Sequence, residues 1–559
     1  MELSGFLRTL LAKRGIESDE AVKAFLAPNY DSHTHSPFLL EGMDRAVARV
    51  LLAITRGERI AVYADFDCDG IPGAALLSDF FEKIKYGNFE TYLPHRDREG
   101  YGFHIEAIEE LATRDVKLII TVDVGTNAAE AVARARKLGI DVIVTDHHEV
   151  IGPPPQAVAV LNPKISPYPF PHLCGAAVAF KLVQALLIEG RKHSTPNFRD
   201  VPVGWEKWLL DLVGIATIAD MVPLTGENRT LAHFGLQVLR KSPRPGIVAL
   251  CNCLRLRKNE ITEDDIGFSF APRINAASRM DEPDAALKLL TTKDHDEALK
   301  IALHLERLNT SRKGIVGGVV REAKRRVRER FRADERVVVL GDTDWKPALL
   351  GLAANSVMEG RSGVVCLWGR DAQGRLKGSC RSDGSISVVE LFANSGDSLL
   401  EYGGHNAAGG FSVSHERVHT LHEVLVLASK DLWRVNEGGN VEPSSDARAA
   451  ISEVTPALFK EITSFAPFGI GNPKPVFLVT GATVSDVRVF GRTKNHIEVL
   501  LSCARTGASA RAFDFFKTAE SFTHAPRVGD NVNILATIER DSFRGGLALR
   551  IVDITLASQ

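Results

Sequence analysis

The sequence predicts an α/β chain: a parallel-sheet domain, a long connecting helix, a second and smaller α/β domain, and a C-terminal β-barrel. Three observations lead there. Short apolar runs alternate with helical stretches between residues 59 and about 161. A segment almost free of helix breakers covers 284–332. Short alternating segments follow a Gly-, Glu-, Pro- and Ser-rich linker at 436–445. An apolar run between turn residues is a strand buried on both faces of a parallel sheet, whereas alternation marks a strand with one wet face.

Taken in order, residues 1–55 form a helical preface, with Leu7, Leu10 and Leu11, then Ala46, Val47, Val50 and Leu51, at helical spacing. The first α/β domain spans 56–230. Its strands end at Ala64, Val122 and Thr145, a helix covers 128–137, and Pro-rich loops occupy 151–155 and 162–171. Helices follow at 175–189 and 205–219. A helical linker at 231–332 ends in one long or twice-bent helix, interrupted in composition only by Gly314, Gly317 and Gly318. Arg321, Lys324, Arg325, Arg328 and Arg332 put positive charge along it, as a solvated face or as a phosphate-facing wall. The second α/β domain, 333–435, begins with strands at 336–340 and 364–368. The barrel domain, 446–559, is signalled by segments 476–479, 496–501 and 531–538.

The composition is that of an ordinary soluble protein of several domains: 559 residues, 45% hydrophobic and 25% charged. No apolar run approaches ~20 residues, and the N-terminus lacks a basic start followed by an apolar core, so neither a membrane span nor a signal peptide is expected. Seven scattered cysteines without a CxxC pair fit a reducing cytoplasm, and Cys251 and Cys253 read as structural. A net charge of −2 argues against indiscriminate coating of nucleic acid but leaves room for local basic grooves.

The chemistry gathers where the strands end. Asp65, Asp67 and Asp69 follow the first run, Asp123 the second, and Asp146, His147 and His148 the third. In open parallel sheets the crevice lies beyond the carboxyl ends of the strands, so these groups meet at one edge. Carboxylates mixed with imidazole suit Mn²⁺ or Mg²⁺. In extended chain Asp67 and Asp69 would point the same way, with Asp65 further down that face. His147 and His148 would point to opposite sides, leaving one as a direct ligand and the other for substrate or a second ion. Asp220, in the apolar surround 216–224, needs either a metal or a buried capping role to offset its burial. A strand-end Asp is often only a helix cap; three in succession make the signal.

The motifs Asp-Phe-Asp-Cys-Asp-Gly at 65–70, Asp-Val-Gly at 123–125, Asp-His-His at 146–148 and Ala-Asp-Met-Val-Pro at 219–223 resemble those of the DHH phosphoesterase superfamily. Pro94-His95-Arg96 with Gly100-Tyr101-Gly102, the segment 272–279, Gly403-Gly404-His405 through Gly409, and 467–473 narrow the resemblance to the RecJ family of bacterial single-strand-specific exonucleases. The similarity runs in order from about residue 40 to the C-terminus. It implies a DHH domain, a DHH-associated second domain and an OB-fold barrel.

As activity the resemblance implies hydrolysis of single-stranded DNA from its 5′ end to 5′-mononucleotides with two Mn²⁺ or Mg²⁺ ions, in DNA repair and recombination. Asp67, Asp69, Asp123, His147 and Asp220 would be the metal ligands, with Asp65 and His148 in or beside the ligand shell. Asp123, His147 and His148 would carry catalysis. Arg96, Arg279, Ser379 and Arg381 would hold the 5′-phosphate, Tyr101 would stack on a base, and Gly404 and His405 would meet the scissile phosphate. Without the resemblance each arginine would read as a surface ion pair, and the glycine-rich loop as a tight turn. On the barrel, Arg488, Arg492, Lys494, Arg511 and Arg544 are candidate phosphate contacts, and Phe490 and Phe513 candidate stacking groups. The implied partners are single-strand-binding protein and a helicase, for a cytoplasmic monomer with no membrane contact.

The chain departs from the family pattern at Tyr63-Ala64, Pro72, Ser278 and Lys346, none of them a predicted ligand. Two rival functions remain: a phosphodiesterase of short oligonucleotides or cyclic dinucleotides, usually without a barrel, and a non-catalytic single-strand-binding scaffold, usually without the carboxylates.

Overall fold

The computed structural model describes residues 4–192, 196–433, 444–491, 494–541 and 544–557. The chain divides into two compact units. The larger holds residues 35–222 and 234–437, and the smaller holds 1–34, 223–233 and 438–559. Arg492 and linker residues 436–443 lie outside the described residues.

In the larger unit, strands β1 (Arg59–Ala64), β2 (Phe89–Tyr92), β3 (Val116–Val122), β4 (Asp141–Thr145) and β5 (Ala159–Leu161) form a sheet of order β2-β1-β3-β4-β5. Every pairing in it is parallel. Within β3 and β4 only Lys117 and Asp141 are exposed, which is why these strands read as continuous apolar runs. The chain leaves β1 toward β2 and then crosses back to β3, so a topological switch point falls between β1 and β3. That is where an open parallel sheet leaves a crevice. The helix Gly70–Lys83 follows β1, and Pro72 sits in its first turn, where the missing N–H has no helical acceptor to lose.

The helix expected at 175–189 runs Gly175–Lys192. That expected at 205–219 is a 3₁₀ turn, Trp205–Leu209, followed by the helix Leu210–Ala219. The breaker-poor segment gives two helices, Pro283–Thr291 and the 36-residue His295–Arg330. They separate at Thr292 to Asp294, where the Asp294 carboxylate caps the longer helix by accepting the Glu297 N–H at 2.8 Å. Gly314, Gly317 and Gly318 lie within that helix, since an interior glycine costs only ~1 kcal/mol. Part of its basic stripe is ion-paired: Arg325 bonds Glu322 and Glu329 on the same helix, Lys324 meets Glu359, and Arg332, just past the helix end, meets Asp334. A solvated, ion-paired face accounts for it.

A second sheet in this unit contains β6 (Val337–Gly341), β7 (Val364–Arg370), β8 (Leu376–Ser382), β9 (Glu401–Gly404) and β10 (Ala408–Val413), in order β6-β7-β8-β10-β9. Only β6 and β7 pair in parallel. The helix Pro347–Met358 covers one face through Leu350, Ala353 and Val357. Val388, Leu391, Phe392, Leu421 and Leu425 cover the other.

In the smaller unit β12 (Phe477–Phe490), β13 (His496–Ser502), β14 (Ser509–Asp514), β15 (Asn531–Arg540) and β16 (Leu547–Leu556) close a barrel, because β12 pairs with both β13 and β15. Short β11 (Ala447–Ala449) pairs in parallel with the start of β12. The helices Gly5–Lys13 and Asp19–Leu26 insert Leu7, Leu10, Leu11 and Phe25 into the core that Phe477, Val479 and Ile534 supply from the strands. Buried Arg229 ties this core together, donating to the carbonyls of Phe25, Phe465 and Ala466.

Candidate metal centre and phosphate site

Strand β1 stops at Ala64, and residues 65–69 fold into a turn instead of continuing extended. The cause is Asp67, whose Oδ1 accepts the N–H of Asp69 at 2.7 Å and of Gly70 at 3.1 Å. The turn, and not strand alternation, brings Asp67 and Asp69 to one cavity. Gly70 is required there, since a Cβ would stand 2.2 Å from the Asp65 carbonyl oxygen. The Asp69 carboxylate accepts the N–H groups of Gly175 (2.6 Å) and Ala176 (2.8 Å) at the start of the helix Gly175–Lys192, where the dipole favours negative charge.

Asp123 adopts a left-handed backbone, φ +62°. Such strain costs ~1–2 kcal/mol in a non-glycine residue and turns the carboxylate off the end of β3. It also needs Gly175, whose Cβ would lie 2.5 Å from that of Asp123. Beyond β4 the chain wraps around Asp146, whose Oδ1 accepts the N–H of His147 (2.7 Å) and His148 (3.2 Å) and bonds the His148 ring (2.8 Å). The wrapping sends both imidazoles to one side, 4.8 Å apart, so the opposite-facing arrangement of extended chain does not occur. Asp220 caps the helix Leu210–Ala219.

The groups converge. His147 Nε2 lies 3.2 Å from Asp123 Oδ1, 3.5 Å from Asp220 Oδ2 and 3.7 Å from Asp69 Oδ2, and His148 Nδ1 lies 3.7 Å from Asp123 Oδ1. Asp65, Asp67 and Asp123 form a further cluster of ligand-capable atoms. Buried oxygens of Asp65, Asp123 and Asp220 have no hydrogen-bond donor. Burial first, then neighbouring carboxylates, pushes Asp69 up to about 6 and Asp220 up to about 9, and raises Asp65 and Asp123 well above the usual range. Burial and the charge of His148 push His147 down to about 4, leaving a neutral imidazole. Unpaired carboxylate oxygens around a neutral imidazole fit a hard or borderline divalent cation, which supplies the missing positive charge.

Arg96, Arg279 and Arg381 come together nearby, all partly buried. Burial, then the charges of Arg96, Arg312 and Arg381, pushes the Arg279 guanidinium down to about 9, while Asp67 pulls the other way. Burial also lowers Arg96 and Arg381. Arg96 packs 4.9 Å from the Phe66 ring centroid, and Arg279 donates to the Ala348 carbonyl at 2.8 Å. Ser379 and Arg381 project from β8 toward the helix Pro347–Met358, where an added Cβ on Gly351 would come within 2.6 Å of Arg381 Nη2 and 3.6 Å of Ser379 Oγ. Arg96, Arg279 and Arg381, like charges held together in a partly buried site, make a receptor for an anion.

Tyr101 has a half-exposed ring, and its hydroxyl lies 3.2 and 3.3 Å from the two ring nitrogens of His148. Its loop is held by buried Tyr63, which donates to the Gly102 carbonyl at 2.9 Å, so the unusual tyrosine before the first acidic cluster has a positioning task. Gly404 and exposed His405 belong to the turn between β9 and β10. Gly404 has φ +142°, and a Cβ there would meet the Ala408 carbonyl oxygen at 2.4 Å, so the tight-turn account explains this glycine. The charge of His405 is felt by Glu149, just beyond His148. Ser278 is buried and bonds the Asn275 carbonyl. Exposed Lys346 precedes the helix Pro347–Met358, and its charge is felt by Asp97.

Sequence reasoning did not assign Asp146 its orienting role or single out Arg312. Asp146 looks like the other strand-end acids, and Arg312 is one cation among many on a long helix. On the barrel, Phe513 is buried beneath Arg511 and Arg550, and Arg511 is fixed between Glu498 and Asp541. Phe516, unmarked by any motif, is 79% exposed with φ +61°.

Comparison with known proteins agrees with this architecture. The DHH family N-terminal domain matches residues 59–217, and the RecJ OB domain matches 445–553. The single-stranded-DNA-specific exonuclease RecJ of Bacillus subtilis is 33% identical over 90% of this chain and 62% of its own length. That of Haemophilus influenzae is 30% identical over 96% of this chain and 92% of its own. The crystal structure of Thermus thermophilus RecJ in complex with Mn²⁺ superposes with a TM-score of 0.79 at 27% identity, over 99% of this chain and 76% of that one. Another structure, of exonuclease RecJ bound to manganese, gives 0.61 at 31% identity over 70% of this chain and 95% of that one. The chain belongs to the RecJ family.

Proposed function

We propose that this chain is a metal-dependent exonuclease that hydrolyses single-stranded DNA from the 5′ end, releasing 5′-mononucleotides. One observation carries the reading. A cluster of mutually repelling arginines sits in electrostatic contact with a cluster of unpaired carboxylates, Arg279 and Arg96 both feeling Asp67. The first suits a terminal phosphate and the second the cations needed to cleave the next phosphodiester.

Asp67, Asp69, Asp123, His147 and Asp220 would hold two Mn²⁺ or Mg²⁺ ions, with Asp65 at the edge of the ligand shell. Bound there, the ions would supply the positive charge that lowers the pKa of a water and neutralises the attacking and leaving oxygens of an in-line displacement. Neutral His147 offers a lone pair. His148, raised by its bond to Asp146 although burial opposes it, is a proton-bearing group that can hydrogen-bond a phosphate oxygen. Arg96, Arg279, Arg381 and Ser379 would bind the 5′-phosphate and so set polarity. His405, on the turn that Gly404 shapes, would approach the scissile phosphate.

The domain assignment follows these roles: catalysis in 56–230, closure over the strand by 333–435, and added affinity from the barrel at 446–559. The chain works as a cytoplasmic monomer alongside single-strand-binding protein and a helicase. Among the described residues no helix is long and apolar enough to cross a membrane.

Incubation of 5′-phosphorylated linear and circular single strands with Mn²⁺ tests the reading. Stepwise mononucleotides should come from linear DNA alone and be absent with Asp123→Ala. Cleavage of di- or trinucleotides only, or binding without cleavage, would point to one of the rival functions.

A further inference from the structure

A cavity of ≈ 340 Å³ lies in the larger unit and is lined by Phe66, Arg96, Tyr101, Tyr402 and Phe411, with Glu401 among its polar residues. Arg96 belongs to the arginine cluster, so the cavity begins where a terminal phosphate would be held. Two of its tyrosines have half-exposed rings, Tyr101 at 52% and Tyr402 at 48%. They arrive from separate elements, Tyr101 from the loop after β2 and Tyr402 from edge strand β9. All four residues of β9 are exposed. The Tyr402 ring is fixed along one side by buried Phe392, with centroids 5.9 Å apart in a T-shaped contact. Gly378, Gly403 and Gly410 also line the cavity and add no side chains. A large, anchored, half-exposed aromatic surface beside a phosphate receptor is what a nucleobase needs for stacking.

We infer that Tyr402 is a stacking platform for the base of the 5′-terminal nucleotide, so that the second α/β domain reads the terminal base while the first domain holds its phosphate. The inference rests on the exonuclease reading and deepens it. Stacking tolerates every base but requires one, so an abasic 5′ end should be a poorer substrate.

The test compares wild type, Tyr402→Ala and Tyr402→Phe on 5′-phosphorylated strands whose terminal residue is either normal or abasic, with Mn²⁺ present. Tyr402→Ala should raise KM for the normal end about tenfold and leave the abasic end unchanged, and Tyr402→Phe should restore the wild-type values. Equal losses on both substrates, or no loss on either, would overturn the inference while leaving the exonuclease intact. If wild type degrades neither strand, the exonuclease reading falls first and takes this one with it.

Discussion

Asp146 commits both carboxylate oxygens to its own chain: Oδ1 to His147 and His148, Oδ2 to the Thr126 amide at 2.8 Å. Burial works against its charge, yet these bonds hold it well below the usual carboxylate range. It therefore orients His147 and His148. Asp146→Asn should weaken Mn²⁺ binding ~10–100-fold, read by calorimetric titration; an unchanged affinity would refute the orienting role. The unpaired acids predict a pH effect. Asp69 at about 6 and Asp220 at about 9 lie above the unfolded value near ~3.9, so the native state holds their protons more tightly. Their contribution to metal-free stability is complete below that unfolded value and is lost as pH rises through 6 and then 9. The Tm gain from saturating Mn²⁺ should therefore grow from about pH 5.5 to about pH 8.5 in thermal denaturation, and Asp123→Asn should flatten that trend. The acids themselves were legible in the sequence because each ends an apolar run. Which of them keeps an unpaired oxygen was not, since Asp123 and Asp146 differ only in the backbone amides that the turns after β3 and β4 present.

The helix Pro347–Met358 and strand β8 show the same division at the scale of elements. The sequence marked Ser379 and Arg381 as phosphate-binding candidates but neither the helix nor the strand that carries them, and the close approach of the two elements depends on Gly351, which it did not mark either. Gly351→Ala would press a methyl group against the far end of Arg381, a flexible side chain, so the fold should survive while the guanidinium moves. The preference for 5′-phosphorylated over 5′-hydroxyl ends should fall about ten- to a hundredfold, as for a lost hydrogen bond to a charged group. Competition between the two strand types measures it, and an unaltered preference would remove Arg381 from the phosphate site. The first helices teach a related lesson. Leu7, Leu10 and Leu11 are legible as one helical face, but nothing local says that the face completes the barrel core. Leu10→Ala should destabilise the smaller unit by ~2–5 kcal/mol, seen as an earlier calorimetric transition.

A chain of net charge −2 that handles a polyanion must concentrate its positive charge and neutralise it elsewhere. The barrel illustrates the second half of that statement: Arg488 pairs with Asp486, Arg544 with Glu498, and Lys517 and Arg550 with Asp514. Its contribution to strand binding then rests more on stacking than on free cations. Phe516, 79% exposed, is the aromatic on which that expectation can be tested. The residue adopts a left-handed backbone, φ +61°. His496 supports it, accepting the Phe516 N–H on Nδ1 at 2.9 Å and packing its ring edge-on at 4.9 Å. Loss of one base-stacking contact is worth ~1–3 kcal/mol. Phe516→Ala should accordingly weaken binding of a long single strand roughly tenfold by fluorescence anisotropy, with a shallow change in salt dependence, because no phosphate contact is removed. Hydrolysis of a trinucleotide, too short to occupy both the metal centre and a separate binding surface, should proceed at the wild-type rate. A matching loss on the trinucleotide would mean that the substitution damages the fold, and unchanged affinity for the long strand would mean that the ring meets no base.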